Sequence, residues 1–310
     1  MSDICVVGSI NMDIVTSVDK YPERGQTIFG NEILQFVGGK GANQSVACAK
    51  QEKSVAIIGA VGKDSYGETL INELNEAGVL TREVKELTEV TSGQTTIILD
   101  GEAENTIIYV EGANGELTKE DVTKSIQSLK GSKILLAQME TPYETVLQAM
   151  KTAKAQGMKV ILDPAPANHV TDDMLQYADF VLPNVHETEW LTGVRVVDEH
   201  TAREAVIAFR AKGVHQGVLK IGSSGSFVFD EDKLTFIKGI KVDAVDTVGA
   251  GDCFAGALAS ALIDGKTIEE AASYANVVAA LKVTKHGAQA GIPTLEEVEN
   301  FIKEHSLLVL

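Results

Sequence analysis

The sequence predicts a three-layer α/β/α sandwich on a mostly parallel central sheet, with a small β-sheet lid added. Three observations predict it. Short runs are apolar at every position rather than at alternate ones, helix-start signals fall between these runs, and two extended segments interrupt the rhythm. A strand covered by helices on both faces must be apolar throughout, which is the requirement of a parallel sheet inside an α/β fold. Strands alternating with helices then place the helices in layers on either side.

Along the chain, the apolar runs are Ile4–Val7, Ala56–Ile58, Ile134–Ala137, Val160–Leu162, Phe180–Leu182 and Val218–Ile221. Between them, Ser65/Glu68, Thr141/Glu144, Thr201/Glu204, Thr267/Glu270 and Thr294/Glu297 match the S/T-x-x-E capping box, in which hydroxyl and carboxylate satisfy backbone groups at a helix start. Pro142 falls at a first helical position, where its missing N–H costs nothing. The segments Ile14–Val37 and Thr91–Val110 read as extended, with period-2 character in TTIILD and NTIIYV around a GEAEN turn. They are expected to form a lid sheet over a ligand crevice, the plainer alternative being an edge hairpin. A last strand, Lys241–Val245, is expected to run into a small-residue turn and then a helix ending at Gly265. There is no internal repeat, charge block or low-complexity linker, so residues 1–310 are expected to form one domain, its lid inserted from about 14–37 and 91–110.

Composition narrows the function. The 27 Lys+Arg against 44 Asp+Glu leave a net charge of −17, with 44% hydrophobic and 23% charged residues. An acidic chain lacks the basic footprint that replaces counterions on nucleic acid, and it is repelled by anionic membranes. An anionic ligand must therefore be held by local N–H groups or a metal. Cys5, Cys48 and Cys253 are far apart and form no CxxC pair, which predicts no disulfide scaffold or zinc cluster and a reducing compartment. The start MSDICVVGSINMD has no basic stretch before its short apolar run, and no apolar run spans a bilayer. A cytoplasmic protein is expected.

The sharpest motif is DTVGAGD, Asp246 to Asp252. Gly249, Ala250 and Gly251 lack bulk, so their backbone N–H groups can face an oxyanion, and the following helix adds its dipole at the same point. Asp252, beside that anion hole, can take the proton of a hydroxyl attacking a phosphoryl group; the plainer alternative is a helix cap. A second glycine-rich turn, Gly38-Gly39-Lys40-Gly41-Ala42-Asn43, opens an expected helix over Ala42–Gln51. It is not a GxGxxG fingerprint, because position 44 is Gln, and Ser260 stands where a P-loop ending in Gly265-Lys266-Thr267 needs glycine. Asn11-Met12-Asp13 follows the first strand, at the carboxyl end where open α/β sheets bind ligands, and its polar groups suit sugar hydroxyls. Asn184-Val-His-Glu187 follows another strand, and its oxygens suit Mg²⁺ held through water or, equally, a helix cap. His186 alone reads as a surface or packing residue.

Together these segments resemble the ribokinase family of sugar kinases (PfkB carbohydrate kinases). The resemblance covers essentially the whole chain, in order: GSINMD, GGKGANQSVA, ENTIIYVEGAN, LLAQME, LDPAPA, LPNVHETE, LKIGSSGS and VDAVDTVGAGDCFAGALA. It implies phosphoryl transfer from ATP to the 5-hydroxyl of D-ribose, with Asp252 as base and the Gly249–Asp252 turn as anion hole. It further implies sugar contacts from Asn11, Met12, Asp13, Gly39, Lys40, Gly41, Ala42, Asn43, Glu140 and Asp252. ATP contacts would come from Asn184, Lys220, Ile221, Gly222, Ser223, Ser224, Gly225, Ser226, Gly251 and Asn276, and Glu187 would organise Mg²⁺ through water. A K⁺ ion is implied at Asp246, Val248, Lys282, Lys285, Gly287 and Gly291, mostly through carbonyls, and a homodimer through the lid.

The chain departs from the family pattern at four positions. Lys220 stands where a threonine-like residue is expected, Gly291 where a serine can ligate the cation, and Lys282 and Lys285 bring ammonium groups to the K⁺ position. The cation site survives if only their carbonyls face it. Two other readings compete: a non-catalytic sugar- or nucleotide-responsive protein on the same scaffold, and a kinase of another sugar or nucleoside, deoxyribose being the hardest to separate.

Overall fold

The computed structural model describes residues 2–102, 104–231, 233–305 and 307. In chain order the elements are β1 (Ile4–Val7), β2 (Asn11–Ser17), β3 (Glu32–Gly38), α1 (Lys40–Lys50), β4 (Val55–Gly62), α2 (Ser65–Glu76), β5 (Leu80–Leu87), β6 (Gly93–Leu99) and β7 (Asn105–Val110). There follow α3 (Lys119–Ser128), β8 (Ile134–Ala137), α4 (Tyr143–Ala155), β9 (Lys159–Leu162), α5 (Asp172–Leu175), β10 (Phe180–Val181), α6 (Val185–Thr192), α7 (Glu199–Ala211), β11 (Gln216–Lys220), β12 (Gly225–Asp230), β13 (Lys233–Lys238), α8 (Ala250–Ile263), α9 (Ile268–Lys282) and α10 (Leu295–Glu304). Among the described residues the main sheet has nine strands in the order β13-β12-β11-β10-β9-β8-β1-β4-β5. It is parallel from β5 to β11 and closes on the antiparallel strands β12 and β13.

The continuous apolarity of the strands is explained by two cores. Ile4 and Val6 of β1 pack into a cluster with α1, α2, α8, α9 and α10, while Cys5 and Val7 pack into a second with α3, α4, α5 and α7. Adjacent residues of a strand point to opposite faces, so both must be apolar when both faces are covered. This is the mixed α/β sandwich expected from the sequence. No helix among the described residues is long and apolar enough to cross a membrane. Cys5, Cys48 and Cys253 are free and buried.

Among the described residues the second sheet has four strands in the order β3-β2-β6-β7. Its register puts Phe36, Asp13, Thr95 and Tyr109 side by side in one row. The GEAEN turn between β6 and β7 includes Ala103, which lies outside the described residues. Several local expectations are corrected. Lys241–Val245 is irregular rather than a strand. The Thr267/Glu270 and Thr294/Glu297 boxes form, but α2 is capped by Asp64 and α7 by Asp198, with Thr201 in the third helical position, and Thr141 caps nothing. At α2 and α7 an aspartate further upstream outcompetes the hydroxyl, because its charged oxygen accepts the first-turn N–H groups more strongly.

Candidate active site

Strand order places the site. From β1 the chain moves outward through β4 and β5, and from β8 it moves the other way through β9, β10 and β11, so the direction reverses between β1 and β8. Ligands bind outside the carboxyl strand ends at such a reversal. There Ser9 Oγ, beyond β1, donates to Glu140 Oε2, beyond β8, at 2.6 Å. The Lys40 N–H donates to the same oxygen at 3.3 Å, and Lys40 Nζ lies 3.8 Å from Glu140 Oε1. Asn114 fixes Asn11, donating from Nδ2 to Asn11 Oδ1 at 2.7 Å. Asp13 projects from the lid row beside Thr95, and Tyr109 Oη donates to the Glu140 carbonyl at 3.3 Å. Thus the second sheet and the main sheet bring their polar groups together at one place.

Two glycines are dictated by this crowding. Gly39, the N-cap of α1, has φ 90°, and a Cβ there would stand 2.7 Å from the Ser9 carbonyl oxygen. A Cβ on Gly41 would stand 2.6 Å from the Gly8 carbonyl carbon. The helix therefore approaches the β1 turn with nothing between the backbones. The side chains of Met12 and Ala42 belong to the core rather than to the polar cluster.

The floor of the site is a chain of buried polar groups. Gln44 donates from Nε2 to Asp163 Oδ2 at 2.9 Å and to Asp252 Oδ1 at 3.1 Å, and its own oxygen accepts from Gln138 Nε2 at 2.7 Å. Asn43 Nδ2 donates to Asp252 Oδ2 at 2.9 Å, while Gln289 Nε2 donates to Asn43 Oδ1 at 3.0 Å. Asp252 occupies the third position of α8, yet its carboxylate is spent on these amides. The N-cap is Gly249, in the left-handed region at φ 75°, and no side chain caps this helix. The helix-cap reading of Asp252 is thereby removed, and the N-terminus of α8 remains available to an anion.

Electrostatics follow from burial. Burial raises the pKa of Asp252 above the ordinary carboxylate range; Asp163 adds to the rise, and Lys40 with the Asn43 and Gln44 amides opposes it. Burial likewise pushes Asp13 up to about 6, with Glu140 and Asp252 adding to it against the Thr95 hydrogen bond and Lys40. For Lys40, burial disfavours the ammonium, but Asp252, Glu140, Asp163 and Glu187 outweigh it and hold the pKa above its usual value. Glu187 is raised by burial and by Asp163, against Lys220 and the Asn184 N–H.

On the other flank, Lys220 ends β11 and donates from Nζ to Asp163 Oδ1 at 2.9 Å. The same Nζ lies 3.8 Å from where a Cβ on Gly251 would stand, so the ammonium faces the α8 N-terminus. Residues Ile221 to Gly225 turn sharply after it, with φ 63° at Gly222 and 116° at Gly225, where a Cβ would meet the Ile237 carbonyl at 2.1 Å. Asn276 Nδ2 donates to Ser226 Oγ at 3.3 Å. Ser223 and Ser224 sit exposed in this turn. Asn184 caps α6 in a box with Glu187: the Asn184 N–H reaches Glu187 Oε2 at 2.8 Å, and Asn184 Nδ2 reaches Oε1 at 2.7 Å. A cap and a water-mediated metal contact are compatible, since each carboxylate oxygen has a second lone pair.

The positions expected around K⁺ also converge. Asp246 accepts from the N–H of Val248 at 2.9 Å and of Gly287 at 2.8 Å, and the Gly291 N–H donates to the Gly287 carbonyl at 3.0 Å. Lys285 turns outward to pair with Glu297. Lys282 does not: its side chain is fully buried, and Nζ donates to the Asp246 carbonyl at 3.0 Å.

Asp163, Gln44, Gln138, Ser9 and Asn114 are site residues that the sequence reading passes over. Asp163 carries a signal, because it follows strand Val160–Leu162 just as Asn11 follows β1. Gln44 stands one helical turn beyond Lys40, and periodicity turns it toward the same pocket. Asn114 ends the ENTIIYVEGAN stretch and lies in the short 3₁₀ turn Gly112–Glu116 between β7 and α3, but nothing in its spacing marks it as the partner of Asn11.

Residues 1–295 match the model of the pfkB carbohydrate kinase family. A ribokinase from Haemophilus influenzae is 39% identical over 303 residues, covering 98% of this chain and 99% of that protein. A deoxyribokinase from Salmonella typhi is 33% identical over 303 residues, covering 97% and 98%. Among solved structures, Arabidopsis thaliana ribokinase complexed with ribose and ATP superposes with a TM-score of 0.90 at 30% identity, covering 97% of this chain and 99% of that one.

Proposed function

The chain belongs to the pfkB family of carbohydrate kinases, and from that premise we propose that it transfers the γ-phosphoryl group of ATP to the 5-hydroxyl of D-ribose, releasing ADP and ribose 5-phosphate. One observation carries the reading: a buried carboxylate, Asp252, stands at the start of a helix that no side chain caps, between a ring of sugar-type polar groups and the Lys220 ammonium. The sugar lies among Asn11, Asp13, Gly39, Lys40, Asn43 and Glu140, under the lid. Its 5-hydroxyl gives its proton to Asp252 as the oxygen attacks in line, and a raised pKa makes that carboxylate a better acceptor. The first-turn N–H groups of α8 and the Lys220 ammonium stabilise the charge that builds on the transferring group. No phosphoenzyme is required.

Asn184, Ile221–Ser226, Gly251 and Asn276 line the surface assigned to ATP. Mg²⁺ held through water would sit beside Glu187, whose carboxyl is raised first by burial and then by the nearby Asp163 charge, so a hydrated cation there would favour its ionised form. When bound, the ion neutralises charge on the β- and γ-phosphates. A cytoplasmic location accords with the supply of ATP and with three unpaired thiols.

The test is ADP formation by the purified protein over a panel of sugars. D-ribose is expected to exceed 2-deoxyribose in kcat/KM by roughly 10–100-fold, since losing one hydroxyl leaves a buried polar group unsatisfied at a cost of about 1–3 kcal/mol. Equal rates with all pentoses, or no ribose-dependent ADP, would remove the assignment.

The lid also supports a homodimer. Ile33, Leu34 and Phe36 on β3 and Ile107, Ile108 and Val110 on β7 are exposed on both of its outer strands, an arrangement that invites a partner. Light scattering is expected to give twice the 33.0 kDa chain mass, and Ile107→Lys combined with Leu34→Lys to give the monomer. A wild-type monomer at micromolar concentration counts against the interface.

A further inference from the structure

The K⁺ donor set expected from the family pattern does not fit this chain, because an ammonium already stands in it. Lys282 closes the last turn of α9, where the helix carbonyl ends favour a cation. Its side chain is 0% exposed; Nζ donates to the Asp246 carbonyl at 3.0 Å and lies 4.0 Å from Asp246 Oδ2. Room for it comes from Gly291: a Cβ there would press on Lys282 Cε at 3.2 Å and on the Gly287 carbonyl at 2.7 Å. Any larger residue at 291 crowds the path of the lysine, so Lys282 and Gly291 act as a matched pair, one bringing the charge and the other clearing its way.

We propose that the Lys282 ammonium is a covalently tethered substitute for the monovalent cation of the Asp246–Gly249 loop, so that this enzyme works without K⁺. An ammonium carries the same unit charge as K⁺ and binds the same class of carbonyl oxygen. Held on the chain, it needs no cation from solution to brace the loop that leads into α8. A K⁺ ion entering beside it would meet a like charge about 4 Å away, which weakens binding by roughly 10³-fold at the effective dielectric of such a site. Lys285, the other lysine of the set, contributes its charge to Glu297 instead. Lys282 touches no reacting atom and is a positioning residue.

The inference rests on the phosphotransferase reading for its activity assay, so a second readout is independent of substrate. With ribose, ATP and MgCl₂ in N-methyl-D-glucamine buffer, adding 100 mM KCl is expected to change wild-type kcat by less than about twofold. Lys282→Ala is expected to lose about tenfold or more without K⁺ and to regain most of it with K⁺ or Rb⁺. The neutral Lys282→Met variant is expected to lose activity without such rescue, because its side chain still fills the site. Crystals of wild type soaked in thallium(I) are expected to show no anomalous peak at the Asp246 loop, and those of Lys282→Ala to show one. Activation of the wild type by K⁺ beyond about fivefold, a thallium peak in the wild type, or cation-independent full activity of Lys282→Ala each overturns the proposal. Absence of ribose turnover in every salt would instead strike the function reading, leaving the thallium result to judge the site.

Discussion

Replacing Asp252 by asparagine is expected to lower kcat by about 10²–10⁴-fold while making the ligand-free protein more stable. The first effect follows from removing the only proton acceptor assigned at the α8 N-terminus; ATP binding should change little, because Asn184 and the Ile221–Ser226 turn are untouched. The second follows from the sign of the pKa shift. Burial raises the folded-state pKa of Asp252, and that of Asp13 up to about 6. Such an acid holds its proton more tightly folded than unfolded. Its stabilising contribution is therefore present at low pH and is lost as pH climbs from the ordinary value of 3.8 through the folded value, about 6 for Asp13. Above that window the carboxylate is charged at a cost, which the asparagine avoids while giving up one of the two oxygens that accept from Asn43 and Gln44. At pH 7.5 a higher Tm is expected for the asparagine variant, the difference shrinking as pH falls toward 4. Calorimetry at the two pH values and steady-state kinetics check both halves. Near-normal turnover would remove Asp252 from its assigned role, and a lower Tm at pH 7.5 would contradict the burial argument.

Loss of the Lys220 ammonium is expected to be the most costly single change to stability in the site. Asp163 is 3% exposed as a side chain and pairs with Lys220 at 2.9 Å, with Glu187 adding like charge nearby. Lys220→Met leaves that carboxylate buried without its cation, with only the Gln44 amide still donating to it, for which a loss of about 3–5 kcal/mol is typical. In an Asp163→Asn background the same substitution should cost less than about 1 kcal/mol, since no orphaned charge remains. Urea denaturation of the four proteins measures the coupling; equal losses in both backgrounds would show that Lys220 acts by packing alone. Lys220→Met should also raise KM for ATP, because the ammonium facing Gly251 is gone.

These two predictions differ in how they could be reached. Asp252 announces itself in DTVGAGD, and the pattern of glycines around it already speaks of an anion. The partners that set its pKa do not: Gln44 and Asp163 come from α1 and the end of β9, more than a hundred residues apart. The same contrast runs through the fold. Runs such as Ile134–Ala137 are legible as buried strands because two covered faces demand two apolar sets. The lid segments are legible because alternation survives in TTIILD and NTIIYV. The irregular path of Lys241–Val245 is not, because an apolar and charged alternation resembles a strand whether or not a neighbour exists to pair with it. Capping by Asp64 and Asp198 was decided by competition between residues one to three positions apart for the first-turn N–H groups.

What the sequence determined alone is the α/β architecture, the extended segments of the second sheet, and the chemical kind of each motif, since periodicity and residue type are local properties. Only the tertiary structure decided which polar groups share a pocket, and what a charge does once inside it. Lys282 makes the point: in the sequence its carbonyl and its ammonium are equal candidates to face Asp246. The choice fell to the ammonium because Gly291, nine residues on, leaves space for the chain, and because a buried positive charge requires an oxygen partner that only the folded loop supplies.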